Sequence, residues 1–319
     1  MAPKASVVID NHNYGRFLRA AVDSALAQDP GGGELEVVVV DDGSTDDSRE
    51  ILASYGARVT VMAQDRQGQA SAFNAGLAAA KGRIVCLLDS DDVFLPGKIA
   101  AALEAFEDPA VACAQNFLHD TDAKLTPAPR RFPAWPARYT LDDLVAGRTQ
   151  FTATSGLAFR RETLQTLLPI PKDLFYYLDD FLTAHALFFG EIANIPVVYG
   201  LHRMHGDNWC AGGLENPVKL ERDFIDRAAF GARRDAWLAE RGLARAPEAV
   251  EAEELDVWRR RVLLEALRAR PLEAAHVWRE GLASLPATRQ ARFRAATTAL
   301  AVLSPTLYLK LYELYSERP

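Results

Sequence analysis

Sulfur chemistry is nearly absent from this sequence. Its 319 residues hold three cysteines, Cys86, Cys113 and Cys210, with no CxxC spacing. Neither a disulfide framework nor a zinc site is expected, and the thiols read as buried and inert. No stretch reaches the ~20 apolar residues that a bilayer span requires. The opening residues, Met1 to Ile9, give way to polar ones too quickly for a signal peptide, which points to a reducing, cytoplasmic setting. A basic excess is missing too. The 36 Lys and Arg against 43 Asp and Glu leave a net charge of −7, the wrong sign for a general nucleic-acid binder. No GxGxxG follows the first apolar run, which removes dinucleotide-dependent dehydrogenases. Internal repeats and low-complexity tails are also lacking.

What remains is 49% apolar, enough for a full core in one large domain or two smaller ones. In the first third, strand and helix patterns alternate. Strands are predicted at Ser6–Ile9, Leu35–Val40, Arg58–Met62, Ile84–Leu88 and Val111–Ala114. Helices are predicted at Phe17–Ala27, Asp46–Tyr55 (capped by Ser44 or Thr45), Ala70–Ala80 and Lys98–Phe106. Such alternation implies an α/β fold with a parallel, doubly wound sheet. The middle is less regular. Four prolines in Thr126–Pro136 predict a loop, Thr154–Phe159 a strand and Leu178–Phe188 a helix, while Ile192–Leu201 reads as one or two strands broken by Pro196. From about Glu215 the chain turns charged, Ala- and Arg-rich, with helices expected at Asn216–Arg241, Ala252–Arg268, Leu272–Ser284 and Thr288–Leu303. The expected division is 1–212, split into halves at 1–115 and 116–212, followed by a helical region at 213–319, with the boundary near Gly212-Gly213.

Two apolar strands end in acids: Val37-Val38-Val39-Val40-Asp41-Asp42, and Ile84-Val85-Cys86-Leu87-Leu88-Asp89-Ser90-Asp91-Asp92. The C-terminal edge of a parallel sheet is where ligands sit. Clustered carboxylates repel unless a cation joins them, so a hard divalent ion, Mg²⁺ or Mn²⁺, carrying a diphosphate is the natural partner. Asp-Gly turns and helix caps would explain the first pair alone. Asp10-Asn11-His12-Asn13-Tyr14 follows the first strand and could line the same rim or simply turn the chain. Gly68-Gln69-Ala70-Ser71-Ala72-Phe73-Asn74-Ala75-Gly76 allows close approach of a helix to sheet or ligand. Asp179 and Asp180 either favour a helix dipole or supply a general base. His202-Arg203-Met204-His205 could grip phosphate or metal, or be a solvated cluster.

Taken in order, these segments resemble an inverting family 2 glycosyltransferase with the GT-A fold, over roughly residues 5–210. The residues that carry the resemblance are Val40-Asp41-Asp42-Gly43-Ser44, Asn74-Ala75-Gly76, Leu88-Asp89-Ser90-Asp91-Asp92, Asp179-x-x-Leu182 and Arg203-x-His205-Gly206. The resemblance implies a nucleotide-sugar donor whose base meets Asp10, Asn11, His12, Asn13 and Asp42, with Asp41 supporting that edge and Gln69 and Asn74 on the donor side. It implies a DXD motif at Asp89-Ser90-Asp91, with Asp91 as metal ligand and Asp89 on the ribose or the metal's water shell, and Asp92 behind them. Arg203 and His205 would close over the diphosphate, and Thr154-Ser155-Gly156 would shape the acceptor site. Asp179 is the implied base. Leu178 stands where the family usually has Glu, so Asp180 is the alternative. His12 replaces a usual Tyr.

The implied reaction is direct displacement, weighed against two other classes. A sugar-nucleotide pyrophosphorylase expects a Gly-rich basic loop after the first strand, where Asp10 to Arg16 fits poorly. A degenerate, sugar-nucleotide-binding scaffold would lack transfer. The acceptor class is a saccharide or lipid-linked saccharide, in polysaccharide or glycoconjugate synthesis, with UDP-sugar as the leading donor. In the C-terminal region, Leu300, Val302, Leu303, Leu307, Tyr308, Leu311 and Tyr312 suggest packing, on the catalytic domain or in a homo-oligomer. The alternative is peripheral contact with the inner face of a membrane.

Overall fold

A computed structural model describes residues 3–206, 208, 214–282 and 289–316. Cys210 and the expected boundary at Gly212-Gly213 lie outside the described residues. The alternating first third runs β1 (Ala5–Asn11), α1 (Gly15–Leu26), β2 (Leu35–Asp42), α2 (Ser48–Ala53), β3 (Thr60–Gln64), α3 (Gln69–Ala79), β4 (Ile84–Asp89), β5 (Val93–Phe94) and α4 (Lys98–Ala105). The middle adds β6 (Val111–Thr121), β7 (Arg138–Tyr139), α5 (Leu141–Val145), β8 (Leu157–Arg160), α6 (Arg161–Leu167), α7 (Leu178–Ala186) and β9 (Glu191–Arg203). Five helices follow: α8 (Pro217–Ala239), α9 (Pro247–Leu267), α10 (Pro271–Leu282), α11 (Arg289–Leu303) and α12 (Pro305–Ser316).

The strands form one mixed sheet in the order β3-β2-β1-β4-β8-β6-β9-β5, with β7 on the flank of β9. The β3-β2-β1-β4 half is parallel, as the alternation predicts. Beyond β4 the sheet departs from a purely parallel one, because β8 runs antiparallel to both β4 and β6. Buried valines explain the central strands. Val37, Val39 and Ile9 face one apolar layer with Leu18, Val22 and Ile99, and Val8, Val38 and Leu87 face the other with Phe73 and Leu157. A strand with both faces covered loses its polar alternation, which is why it reads as an unbroken apolar run.

In the sheet β6 is longer than Val111–Ala114, reaching Thr121, and β9 is one strand rather than two. Pro196 is accommodated by a bulge: β6 partners step from Asn116↔Ile195 to Phe117↔Val198, so Pro196 needs no ladder N–H. Residues 154–156 form a 3₁₀ turn ahead of β8 instead of starting the strand. Neither Ser44 nor Thr45 caps α2, which begins after Asp47. The Ser44 hydroxyl instead accepts from Asn11 Nδ2 and the Asn13 amide. Gly82 sets the sheet's lower edge, since a Cβ there would stand 2.4 Å from backbone atoms of Ala5 and Ser6.

The helical region makes a second core from Leu220, Val262, Leu263, Leu264, Ala301 and Tyr308. Phe230 of α8, however, belongs to the core beneath β8 and α7. Of the apolar residues expected to pack or meet a membrane, Tyr308 is buried and Leu300, Val302 and Tyr312 pack on this core. Leu303 and Leu307 are exposed. Among the described residues no helix is long and apolar enough to cross a membrane.

Candidate active site

The acid-bearing ends of β1, β2 and β4 open on a cleft of about 700 Å³. Parallel pairing sets Asn11 beside Asp41 and Asp10 beside Asp89, so one sheet edge collects these residues from three segments of sequence. Asp10, Asn11, His12, Asn13, Asp42, Gln69, Asp89, Ser90, Asp91, Thr154 and Asp179 all line the cleft.

The nucleotide-side rim is built from cross-strand hydrogen bonds. Asp41 is fully buried and does not face the cleft. Its carboxylate accepts from Asn11 Nδ2 (3.1 Å) and Arg49 Nε (3.0 Å). Asp42 accepts from Gln64 Nε2 at 2.7 Å and from the backbone amides of Gln67 at 2.8 Å and Gly68 at 2.7 Å. That close return of the chain needs Gly43, where φ is +69° and a Cβ would lie 2.7 Å from the Arg66 nitrogen. His12 Nδ1 lies 2.7 Å from the Asp42 carbonyl, which can only accept, so Nδ1 carries the proton. The lone pair on Nε2 then accepts from Asn13 Nδ2. Asn13 itself is left-handed (φ 58°), and its Oδ1 accepts the Thr45 amide at 2.7 Å, which holds this strained residue in place.

At the centre, carboxyls outnumber cations. Burial, then the charge of Asp91, pushes Asp10 up to about 7, and its Oδ1 is buried with no partner. Asp89 is raised well above the carboxylate range by burial and by Asp10, Asp92, Asp91 and Asp179, while Gln69 Nε2 donates to its Oδ1 at 3.0 Å. Asp92 is pushed up to about 7 by burial, with His202 opposing. It accepts from Ser155 Oγ (2.6 Å) and the Arg203 amide (2.8 Å). Asp91 Oδ2 accepts from His205 Nε2 at 3.0 Å and Asn208 Nδ2 at 3.1 Å.

Such a set suits a divalent cation. An orphaned buried carboxylate oxygen beside clustered acids is a deficit of positive charge. Among the described residues no three His, Cys, Asp or Glu side chains are grouped so as to hold a metal ion by themselves. Asp91 and Asp89 both line the cleft, and their carboxylates have the chemistry to hold one together with substrate phosphates.

The turn at residues 154–156 ties this centre to α7. The Ser155 hydroxyl donates to Asp92 and accepts the Asp89 amide, while the Thr154 backbone lies near enough to Asp179 to favour its charged form. Lys98 is buried under the turn and donates to the Gly156 carbonyl and to Asn116. Burial pushes Asp179 up to about 6, against hydrogen bonds from backbone amides. Asp180 is pushed up to about 8 by burial and by Asp179, and it stands outside the cleft lining.

Five expected site residues stand outside the cleft lining. Arg203 turns inward: Nε donates to the Asp91 carbonyl, Nη1 to the Ala123 carbonyl, and its guanidinium lies over Phe17. Asn74 clamps the backbone of Ile170 through both an accepted and a donated bond. Asp180, Asp41 and His205, the last bonded to Asp91 from outside the lining, are the others. In the place expected of Arg203 the cleft has His202, its strand neighbour on the opposite face. Its hydrogen bond to Asp120 (2.9 Å) and the nearby acids outweigh burial and push it up to about 9. Arg16, Arg66, Phe175, Tyr176 and Asn208 also line the cleft without having been singled out. Alternation along β9 says that His202 and Arg203 face opposite sides, but not which of them meets the cleft.

A family model described as "Glycosyl transferase family 2" matches residues 6–168. An uncharacterized glycosyltransferase of Nostoc sp. is 33% identical over 255 residues, covering 73% of this chain and 79% of that one. A chondroitin synthase of Pasteurella multocida is 38% identical over 115 residues, 35% of this chain but 12% of that protein. Solved structures show the fold. PcManGT, a mannosyltransferase from Pyrobaculum calidifontis in complex with GDP-Man and Mn²⁺, superposes with a TM-score of 0.57 at 20% identity, covering 99% of this chain and 85% of that one. TarS 1–349 of S. aureus, in complex with UDP, gives a TM-score of 0.52 at 20% identity over 86% of each chain. The matched span holds β1 through α6, including the acid-bearing edges of β1, β2 and β4. With a 33% identical relative aligned along most of both chains, the protein belongs to glycosyl transferase family 2, on a GT-A fold.

Proposed function

We propose that the protein transfers a sugar from a nucleoside-diphosphate donor, UDP-linked in the leading reading, to a hydroxyl of a saccharide or lipid-linked saccharide, with inversion at the anomeric carbon. One observation carries this reading: Asp179 opens on the same cleft as the rim at Asp10 to Asn13 and the acids at Asp89 to Asp91. Nucleotide-binding groups and a candidate base therefore face one space.

In this reading Asp42 and the β1 rim hold the base and ribose. Asp91 and Asp89 would hold a divalent cation, which when bound supplies positive charge to the leaving diphosphate, and His205 orients Asp91 through its hydrogen bond. His202, protonated at neutral pH, faces the same charge. Asp179 takes the proton from the attacking hydroxyl. Its pKa, raised to about 6, leaves it mostly ionised at pH 7 yet basic enough to accept a proton as the bond forms. Attack from the face opposite the leaving group needs no covalent intermediate, so an α-linked donor gives a β-linked product.

A thermal-shift screen of UDP- and GDP-sugars, with and without Mn²⁺, identifies the donor, because a ligand of the native state raises Tm by mass action. Proton NMR of the first product then reads the anomeric configuration. A β product from an α donor is expected; an α product contradicts inversion.

A further inference from the structure

The segment ahead of the candidate base is held by α8, a helix of the C-terminal region. Asp226 is fully buried, and its Oδ2 accepts the backbone amides of Phe175 at 3.0 Å and Tyr176 at 2.8 Å. Arg222, one turn earlier, puts Nε 2.8 Å from Asp226 Oδ1, donates Nη2 to the Asp173 carbonyl, and lies 5.3 Å from the centroid of the Phe175 ring. Arg233, two turns after Asp226, forks onto the Asp173 carboxylate at 3.0 and 2.9 Å. Positions 222, 226 and 233 fall on one helical face. Beside them Asp223 accepts from the Tyr177 hydroxyl at 2.8 Å, and Phe230 stacks on the Tyr177 ring at 5.7 Å. Tyr177 immediately precedes α7, and Asp179 is the second residue of that helix.

These contacts converge on the cleft. Phe175 and Tyr176 line it beside Leu178 and Asp179, with their rings edge to face at 5.3 Å. Few groups suit the apolar face of a pyranose ring better than an aromatic wall next to a polar acid, because the ring buries its C–H face while its hydroxyls keep hydrogen bonds. The rim at Asp10 to Asn13 lies at and beyond the end of β1, whereas Phe175 and Tyr176 lead directly into the helix that carries Asp179, so the aromatic wall stands on the side of the cleft where the acceptor hydroxyl must meet Asp179.

We propose that Asp226 is a positioning residue for the acceptor: by holding the amides of Phe175 and Tyr176, it fixes the wall against which a saccharide acceptor lies. The inference rests on the glycosyl-transfer reading above and extends the acceptor site into the helical region. A buried carboxylate accepting two amides is costly to remove, since both donors lose a charge-assisted bond.

The test compares wild type with Asp226→Ala, Asp226→Asn and Tyr176→Ala in the full chain. Three readouts are used: amide exchange at residues 173–178, calorimetric binding of UDP and GDP with Mn²⁺, and transfer to p-nitrophenyl hexosides and N-acetylhexosaminides. Asp226→Ala should speed exchange at Phe175 and Tyr176 and raise the acceptor KM about ten-fold or more, with nucleotide binding unchanged. A rise in KM at constant kcat marks lost acceptor binding. Asp226→Asn, which keeps one acceptor oxygen, should recover part of both effects. Tyr176→Ala should raise the acceptor KM without speeding exchange at Phe175. If wild type transfers to these probes and Asp226→Ala keeps its acceptor KM, this inference falls alone. It falls likewise if Asp226→Ala loses nucleotide binding and transfer together and Asp226→Asn restores neither. A wild type that binds neither nucleotide and transfers to no probe overturns the glycosyl-transfer reading itself.

Discussion

Asp42 gives the sharpest test of the nucleotide side. It is 3% exposed and accepts three hydrogen bonds, from Gln64 Nε2, the Gln67 amide and the Gly68 amide, at 2.7 to 2.8 Å. Replacing it with Asn leaves one acceptor oxygen for these donors. The better orientation keeps that oxygen on Gln64 and Gln67 and turns the new NH₂ toward the Gly68 amide, donor against donor. One charge-assisted bond is lost, at about 1.5–3 kcal/mol, and two others become neutral. The released residues are the ones that bring Arg66, Gly68 and Gln69 to the cleft. At about 1.4 kcal/mol per ten-fold, binding of the nucleoside diphosphate should weaken by roughly ten- to a hundred-fold. Asp42→Ala, which leaves both amides without this partner, should weaken it at least as much. Calorimetry of UDP and GDP with Mn²⁺ reads the change directly. A dissociation constant within two-fold of wild type for both variants would mean that the loop holds its shape without Asp42, and the assigned role would be lost.

Transfer rate should follow a bell-shaped pH profile. Asp179 acts as base only when ionised, so activity falls as pH drops through about 6, and His202 loses its charge as pH rises through about 9. Replacing His202 with Asn should remove the alkaline limb and leave the acid one; rate measurements across pH 5 to 10 check both. Gly82→Ala should destabilise the fold by about 1–3 kcal/mol, since its Cβ would overlap the backbone of Ala5 and Ser6 at 2.4 Å and cannot be relieved by a side-chain rotation. That cost outweighs the gain of about 0.4–1 kcal/mol from stiffening the unfolded chain. The midpoint of urea unfolding reports the sign.

The parallel half of the sheet and its acidic edges are legible in the sequence because the cause is local. Four valines ending in Asp41-Asp42 mark a strand covered on both faces whose end must meet solvent or ligand. What stays hidden depends on partners far away. Nothing near Asn74 announces that Ile170, 96 residues on, takes both ends of its amide. His202 and Arg203 are adjacent and both cationic, yet strand alternation turns one to the cleft and the other to the Asp91 carbonyl, and only the register of β9 on β6 decides which. Pro196 reads as a break because a bulge cannot be seen without the partner strand. In α8, Arg222, Asp223 and Asp226 look like an ordinary solvated face, since the loop they hold is distant in sequence. The choice between Asp179 and Asp180 is likewise one of facing: the first opens on the cleft and the second does not.

The proposed mechanism turns on Asp179 as the base, and comparing Asp179→Asn with Asp180→Asn puts that assignment at risk. Each variant is assayed for transfer on the donor identified by thermal shift and for nucleotide binding by calorimetry. Removing a general base costs about 10²–10⁴ in rate. Asp179→Asn should lose transfer to that extent while binding nucleoside diphosphate as wild type does, and Asp180→Asn should keep most of its turnover. Near-wild-type transfer by Asp179→Asn, or the full loss appearing in Asp180→Asn alone, would place the base elsewhere.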